Sequence, residues 1–555
     1  MPNTLHPPRA RVALMGFSAR FGFLLVVSVL LAATATPALA LRGGVESARP
    51  YSFMGSLQRA ESPRTDGHVC GVTLIAPQWV VTASHCARTP NQAQTGTPRG
   101  WRVRIGSLKV TSGGELAEVD KFYRYSTEVY GKDLALLHLR TPVRAKPVRI
   151  APATPAGHTP ARIIGWGVTC DEREPKCYPD HLREADTVVQ PDSKCKVSGI
   201  VGERELCVGS PDGSVSATNM DSGGPALVRR GGGWLLAGAV SGSNGNDTPT
   251  VYSDVSVYRK WIRGIVTGVA VPPESPMPSL EGAVRFGGCS GVVVRTAASR
   301  AKDPALLLTN GHCVEGNRPA PGSALADRPA TQPATIVDHE GYPKVEARTT
   351  RLVYATMTGT DVALYRLDRT YAELAAAGAK VFDLTGTPAA AGDRVDLLSG
   401  IWGRRWSCAV EAVVPKLREG GYEQENAVRY TGACEPGHGT SGSPLIAPDG
   451  KTVVGLHNTG NDDGESCTEN NPCEVNLAGQ VTVRKGARYG QQVAAVPACL
   501  APGSVLDLSR PDCTLPAPGR PDGRNGESGV VTDPVTVNPG TATTPDGPAG
   551  GPRFR

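Results

Sequence analysis

After its first 40 residues this 555-residue sequence has no apolar run approaching the roughly 20 residues that a membrane-spanning helix needs, so the body of the chain is not expected to cross a bilayer. It also lacks an excess of one charge. The 58 Lys and Arg stand against 52 Asp and Glu, and no Lys/Arg run tracks a phosphate backbone, which argues against a nucleic-acid partner. Aromatic residues make up only 5 %, whereas 66 Gly and 47 Pro punctuate the chain; many turns and little helix follow, and the expected fold class is all-β. Histidines do stand next to cysteines, but without CxxC or HExxH spacing, so no metal and no cofactor is expected.

What the chain does have begins with an export pattern. Arg9, Arg11 and Arg20 precede the apolar run Phe21-Gly22-Phe23-Leu24-Leu25-Val26-Val27, which continues to Ala33 and closes with Ala38-Leu39-Ala40. Residues 1–40 therefore read as a signal peptide, and the mature protein as secreted, extracellular and free of the membrane. The rival reading is a membrane anchor, which would need a longer apolar core. All 14 cysteines follow this segment, six before residue 270 and eight after it, so each half can be closed by its own disulfides in an oxidising compartment.

The length exceeds what one core organises, since single domains seldom grow far beyond about 250 to 300 residues. The Pro-rich stretch TGVAVPPESPMPSL at 267–280 reads as a linker between a domain at 41–266 and another at 281–513. The Pro, Gly and Thr-rich segment 514–555 has too few large apolar residues to offset its ordering entropy and is expected to be a disordered tail. Within each half, short apolar runs such as Val72-Thr73-Leu74-Ile75, Trp79-Val80-Val81, Leu134-Ala135-Leu136-Leu137 and Trp234-Leu235-Leu236-Ala237 fit barrel strands, and one helix is expected from Tyr258 to Val266.

Hydrolysing a peptide bond with a serine needs a base for the hydroxyl proton, a carboxylate to hold that base, and donors for the developing oxyanion. Three segments supply these parts in order: Thr82-Ala83-Ser84-His85-Cys86, Lys132-Asp133-Leu134-Ala135-Leu136 and Asp221-Ser222-Gly223-Gly224-Pro225. Through them, and through Gly165-Trp166-Gly167, the stretch from Leu41 to Val266 resembles the trypsin-like, or chymotrypsin, family of serine proteases. The resemblance implies a double β-barrel, with His85 as general base, Asp133 as its orienter and Ser222 as nucleophile. It also implies bridges Cys70 to Cys86 and Cys195 to Cys207, leaving Cys170 with Cys177 as a local loop closure.

Signal removal after Ala40 would expose Leu41-Arg42-Gly43-Gly44, which looks like the new N-terminus of an activated family member. By that resemblance the freed amine of Leu41 pairs with Asp221 and orders the oxyanion hole, so export itself activates the domain. An α-amino group titrates near pH ~8, so activity is expected to fall in alkali. There are departures from the family pattern. Arg42 stands where an apolar residue is preferred, Thr218 replaces a pocket-rim cysteine, and Met220 replaces the Gly whose amide, with that of Ser222, forms the oxyanion hole. The same resemblance implies a pocket with Ser216 at its base and Ser243 and Thr250 on the walls, and with it small or medium apolar residues before the scissile bond.

The second half repeats the logic with Leu308-Thr309-Asn310-Gly311-His312-Cys313, Gly359-Thr360-Asp361-Val362-Ala363-Leu364 and Gly439-Thr440-Ser441-Gly442-Ser443-Pro444. His312, Asp361 and Ser441 are the expected triad, with the amides of Gly439 and Ser441 as oxyanion hole. Thr440 stands where the first half has Asp221, so this half is expected to need no amine. The run Gly439 to Pro444 followed by Val453-Val454-Gly455-Leu456-His457-Asn458 looks like the bacterial glutamyl endopeptidases. His457 then either contacts an acidic substrate side chain or fills the pocket wall. Cys289 with Cys313 would staple the His loop, and Cys408 with Cys434, Cys467 with Cys473 and Cys499 with Cys513 are the remaining pairs. His68, His158 and His438 are read as surface or loop residues. The resemblance implies a secreted serine endopeptidase acting on proteins or peptides. The alternatives are that one unit, the first because of Met220, is a weak or inactive binding module, or that one unit processes the other.

Overall fold

The computed structural model describes residues 41–128, 131–170, 174–242, 248–273, 278–432 and 434–518. The signal-peptide reading, Ser243 and the tail from 519 onward lie outside them.

Strands dominate, and they close on themselves. In the first unit Met54–Gln58, His68–Ala76, Trp79–Thr82, Ala135–Leu139, Glu115–Arg124 and Arg102–Ile105 pair in turn and return to Met54–Gln58, every pairing antiparallel. A second ring follows the same plan through Pro160–Gly165, Arg183–Gln190, Glu205–Val208, Thr250–Asp254, Gly233–Gly242 and Pro225–Arg230. The second unit holds two more rings. One runs through Ala283–Phe286, Cys289–Arg295, Pro304–Thr309, Val362–Thr370, Pro343–Thr356 and Pro333–Val337. The other runs through Arg394–Ser399, Arg404–Glu419, Tyr422–Tyr430, Arg488–Gln492, Thr452–Gly460 and Pro444–Ile446. Closure pairs each ring strand on both sides over much of its length, which is how a chain with so little helix protects most of its backbone donors and acceptors.

The sequence explains why these segments take strand form. Glu115–Arg124 reads ELAEVDKFYR, and its Ala117, Val119 and Phe122 turn inward while Leu116 and Glu118 face solvent. Runs such as Val292-Val293-Val294 are buried on both faces because one face fills a barrel and the other packs against its neighbour. The helix expected near 258–266 spans Arg259–Val266, burying Ile262 and Ile265.

Two boundaries move. Leu280, assigned to the linker, is 1 % exposed and belongs to the core of the second unit, its amide bonded to His339 O. At the other end Leu515 packs into that same core and Tyr354 Oη donates to Pro516 O at 2.8 Å, so residues 514–516, assigned to the tail, belong to the second unit. A few apolar side chains in a polar stretch suffice to anchor it when a complementary groove is waiting.

The fourteen cysteines form seven disulfides: Cys70–Cys86, Cys170–Cys177, Cys195–Cys207, Cys289–Cys313, Cys408–Cys434, Cys467–Cys473 and Cys499–Cys513. The units touch through the loop after Cys86. Arg99 pairs with Asp338 at 2.6 Å and with Glu340, and lies over the Tyr342 ring. Gly403, at φ 57°, lies so close to Pro90 O that a Cβ there would overlap it.

Candidate active sites

In the first unit a short 3-10 turn, Ser84–Ala87, carries His85 at the rim of the first barrel. Asp133 sits just ahead of strand Ala135–Leu139 in the same barrel and is fully buried. Its Oδ2 lies 2.7 Å from His85 Nδ1 and its Oδ1 accepts the His85 amide at 2.9 Å, so the ring is held in position and tautomer. Ser241 Oγ donates a further bond to Oδ2 at 2.8 Å, and Ser253 Oγ donates to Asp133 O at 2.7 Å. Burial pushes the Asp133 carboxyl up, but the charge and hydrogen bonds of His85, together with Ser241, hold it below the usual range.

Ser222 comes from the second barrel, on the turn before Pro225–Arg230, and its carbonyl accepts the Gly71 amide of the first barrel at 2.8 Å. A Cβ on Gly223 would overlap Thr82 Oγ1 and lie 2.9 Å from Ala83 N, which shows how tightly the serine turn is seated against the His85 loop. The amides of Met220 and Ser222 donate to no group among the described residues, so both are open to an oxyanion.

Met220 adopts φ 72°, close to the 79° of Gly439 in the second unit, so the non-glycine residue is forced into the left-handed region that the turn requires. His68 helps to hold it there. Contrary to the surface reading, His68 is fully buried in strand His68–Ala76, with Nδ1 2.7 Å from Ser56 Oγ and Nε2 3.0 Å from Met220 O. Burial keeps this imidazole neutral. His158 and His438 are exposed. Replacing Met220 by Gly is expected to relieve the left-handed conformation and raise the unfolding free energy by about 1 kcal/mol. Urea denaturation checks this, and a loss of stability would contradict it.

Asp221 is buried, and Gly165 and Gly167 are glycines because a Cβ on either would overlap its carboxylate. It accepts from the Gly167 amide at 2.7 Å, the Thr218 amide at 2.9 Å and Thr218 Oγ1 at 3.0 Å; among the described residues no Lys or Arg is bonded to it, though the Arg64 charge acts on it from a distance. Burial pushes its pKa up to about 6, against those three donors. Leu41 is 1 % exposed in the core of the second barrel, and Arg42 bridges to Ser216, whose amide donates to Arg42 O at 3.2 Å. Ser216 and Thr250 are buried and uncharged, Thr250 Oγ1 accepting the Ala217 amide.

The second unit repeats the arrangement with different supports. His312 lies on the 3-10 turn Gly311–Cys313, its Nδ1 2.8 Å from Asp361 Oδ2 and its amide 3.1 Å from Oδ1. Burial lowers the basicity of His312, but the Asp361 charge and hydrogen bond outweigh it and leave the pKa raised. Asn310 ties the two halves of the site together, its Nδ2 donating to Asp361 O at 2.8 Å and its Oδ1 accepting the Gly442 amide. Ser441 Oγ donates to Asn458 O at 3.3 Å, and the amides of Gly439 and Ser441 are again undirected among the described residues. Thr440, in place of Asp221, turns its hydroxyl onto Gly437 O, so this turn closes without a buried charge. Trp402 covers it, its indole donating to His438 O at 2.9 Å.

Behind Ser441, His457 is 3 % exposed and its Nδ1 has no partner among the described residues; Tyr430 Oη, Ser443 Oγ and the side-chain amide of Gln491 are likewise buried and unbonded there. Burial drives the His457 pKa down to about 3, so the ring is neutral. The sulfurs adjoining His85 and His312 are spent in disulfides and offer no thiolate to a metal. Sequence reasoning missed Ser241, Ser253 and Asn310, which lie far along the chain from the carboxylates they support, or within a motif read only for its histidine.

Comparison with known proteins places both halves together. Residues 42–262 match the model of the Trypsin family, and residues 289–456 match that of the Trypsin-like peptidase domain. The chain is 33 % identical over 199 residues to Trypsin of Saccharopolyspora erythraea, covering 34 % of this chain and 83 % of the relative. It is 31 % identical over 226 residues to human Trypsin-3, covering 38 % and 69 %, and 32 % identical over 219 residues to human Transmembrane protease serine 5, covering 35 % and 46 %.

Proposed function

We propose, from the premise that this chain belongs to the trypsin-like serine protease family, that it is a secreted enzyme with two competent centres, Ser222 with His85 and Asp133, and Ser441 with His312 and Asp361. It is a serine endopeptidase, and its substrates are proteins or peptides. The observation that carries the two-centre reading is the repeated geometry: a histidine tied through Nδ1 to a buried aspartate, beside a serine turn with two unpaired amides. At each centre the serine Oγ attacks the peptide carbonyl carbon while its proton passes to histidine Nε2. The two amides hold the oxyanion. Collapse expels the amine with that proton, and water then takes the same route to release the acyl group. Among the described residues neither serine is bonded to its histidine, an arrangement that commonly tightens only when substrate arrives.

The amine of Leu41 is the natural partner of Asp221 once residues 1–40 are removed. Three features support this: the burial of Leu41, the Arg42–Ser216 bridge, and a buried carboxylate that lacks a bonded cation. In the uncut chain Leu41 also holds φ 42°, a constraint that vanishes when it becomes the first residue. The alternative that the first unit only binds rests on Met220, whose φ nevertheless matches that of Gly439.

Neutral Ser216 and Thr250 suit small or medium apolar side chains in the first pocket. The unbonded polar atoms around His457 suit a polar or acidic side chain in the second, with neutral His457 donating a hydrogen bond. Profiling the full chain with Ser441→Ala is expected to return small apolar residues before the scissile bond. Profiling with Ser222→Ala is expected to return Glu, Asp or Gln. Identical profiles would contradict both assignments.

A further inference from the structure

Strand Thr452–Gly460 pairs with Arg488–Gln492 on one edge as far as Gly460, but on its other edge the pairing with Pro444–Ile446 ends at Leu456. Residues 458–460 thus present an open edge beside Ser441, whose Oγ reaches Asn458 O. An extended peptide adding to such an edge places alternate side chains on one face.

Glu419 stands against this edge. It ends strand Arg404–Glu419 and its Oε1 accepts both Thr459 Oγ1 at 2.9 Å and the Asn470 amide at 2.8 Å, leaving Oε2 without a partner among the described residues. The neighbouring cations are committed elsewhere. Lys416 and Arg418 pair with Glu423, and Arg488 pairs with Asp462. The carboxylate is therefore held by neutral donors in a half-buried position, where an unneutralised charge is costly and a cation is welcome. The hairpin turn that follows Glu419 meets the loop after His312, where Tyr422 Oη donates to Pro319 O at 3.0 Å, which sets Glu419 on the histidine side of the cleft; burial pushes its pKa up, and its charge favours the protonated form of His312.

On the reading of Ser441 as nucleophile, we infer that Glu419 is a specificity-determining residue that selects a Lys or Arg at the second substrate position before the scissile bond. The second and fourth positions share a face of an extended strand, and the nearness of Glu419 to His312 favours the second.

The test uses the full chain with Ser222→Ala and matched peptides carrying Lys, Gln or Glu at that position. The Lys peptide is expected to exceed the Gln peptide in kcat/KM by at least about tenfold, as a charge-assisted hydrogen bond supplies, and the Glu peptide to fall below both. Glu419→Gln should bring the Lys-to-Gln ratio close to one, and Glu419→Lys should reverse the order of Lys and Glu. A ratio near one in the parent, or a ratio unmoved by Glu419→Gln, overturns the assignment. Dissociation constants of the same peptides on the Ser222→Ala/Ser441→Ala double variant read the same preference without turnover. Absence of all hydrolysis would thus count against Ser441 as nucleophile, while the binding ratio still decides Glu419. A Lys preference that moves to the fourth position would also overturn it.

Discussion

Extending the mature chain by two residues ahead of Leu41 is expected to cut the kcat/KM of the first unit by a factor of about 10² to 10³ and to leave the second unit unchanged. The reason lies at Asp221. Its carboxylate is fully buried, and three donors from Gly167 and Thr218 do not offset the desolvation, which leaves its pKa near 6 in the uncut chain. A buried charge stripped of its partner typically costs about 3 to 5 kcal/mol, and the turn carrying Met220 and Ser222 is the structure that would yield. The sign with pH follows. A carboxyl with a raised folded pKa contributes stability that is present below its unfolded value near pH ~4 and is lost as pH rises through about 6. The extended protein should therefore lose stability across that window, whereas the protein beginning at Leu41, with an ammonium beside Asp221, should not. Thermal unfolding of both forms between those pH values checks this. Equal activity of the two forms in the Ser441→Ala background would contradict it. Thr440, which satisfies its hydroxyl on Gly437 O, explains why the second unit is indifferent.

The larger effect is expected at the two proposed nucleophiles. Ser222→Ala and Ser441→Ala should each abolish one of the two specificity profiles and spare the other. The double variant should lose a factor of about 10⁴ or more in peptide hydrolysis, the scale on which removing a triad nucleophile acts. The two sites have separate barrels, separate aspartates and separate oxyanion turns, so their losses should add. Among the described residues the units meet at the loop after Cys86, where Pro90 abuts Gly403 next to Trp402 and Arg99 pairs with Asp338.

Much of this was legible in the chain because chemistry fixes residue types at short range. His85 beside Cys86, Asp133 ahead of an apolar strand, and Ser222 between Asp221 and Gly223 are local patterns, as are the matching segments at His312, Asp361 and Ser441. Gly165 and Gly167 are glycines for a reason the sequence hides, since the atom that excludes a Cβ belongs to Asp221, more than fifty residues away along the chain. The same holds for Ser241, whose hydroxyl reaches Asp133 only after two barrels meet, and for His68, polar in type yet buried because Ser56 and Met220 O satisfy it. Leu280 and Leu515 were lost in Pro-rich surroundings, where composition outweighs a single apolar residue until a core receives it. Glu419 carries no motif at all. Its meaning comes from the open strand edge that Thr459 shares with Ser441.

Active-site titration with a fluorophosphonate tests the central claim most directly, since only a serine activated by its histidine and facing an oxyanion hole is labelled. The protein beginning at Leu41 should take up two equivalents, one of which is lost in Ser222→Ala and the other in Ser441→Ala. A single equivalent that disappears entirely in one of these variants, or no labelling of the unmodified protein, would contradict two working centres in one chain.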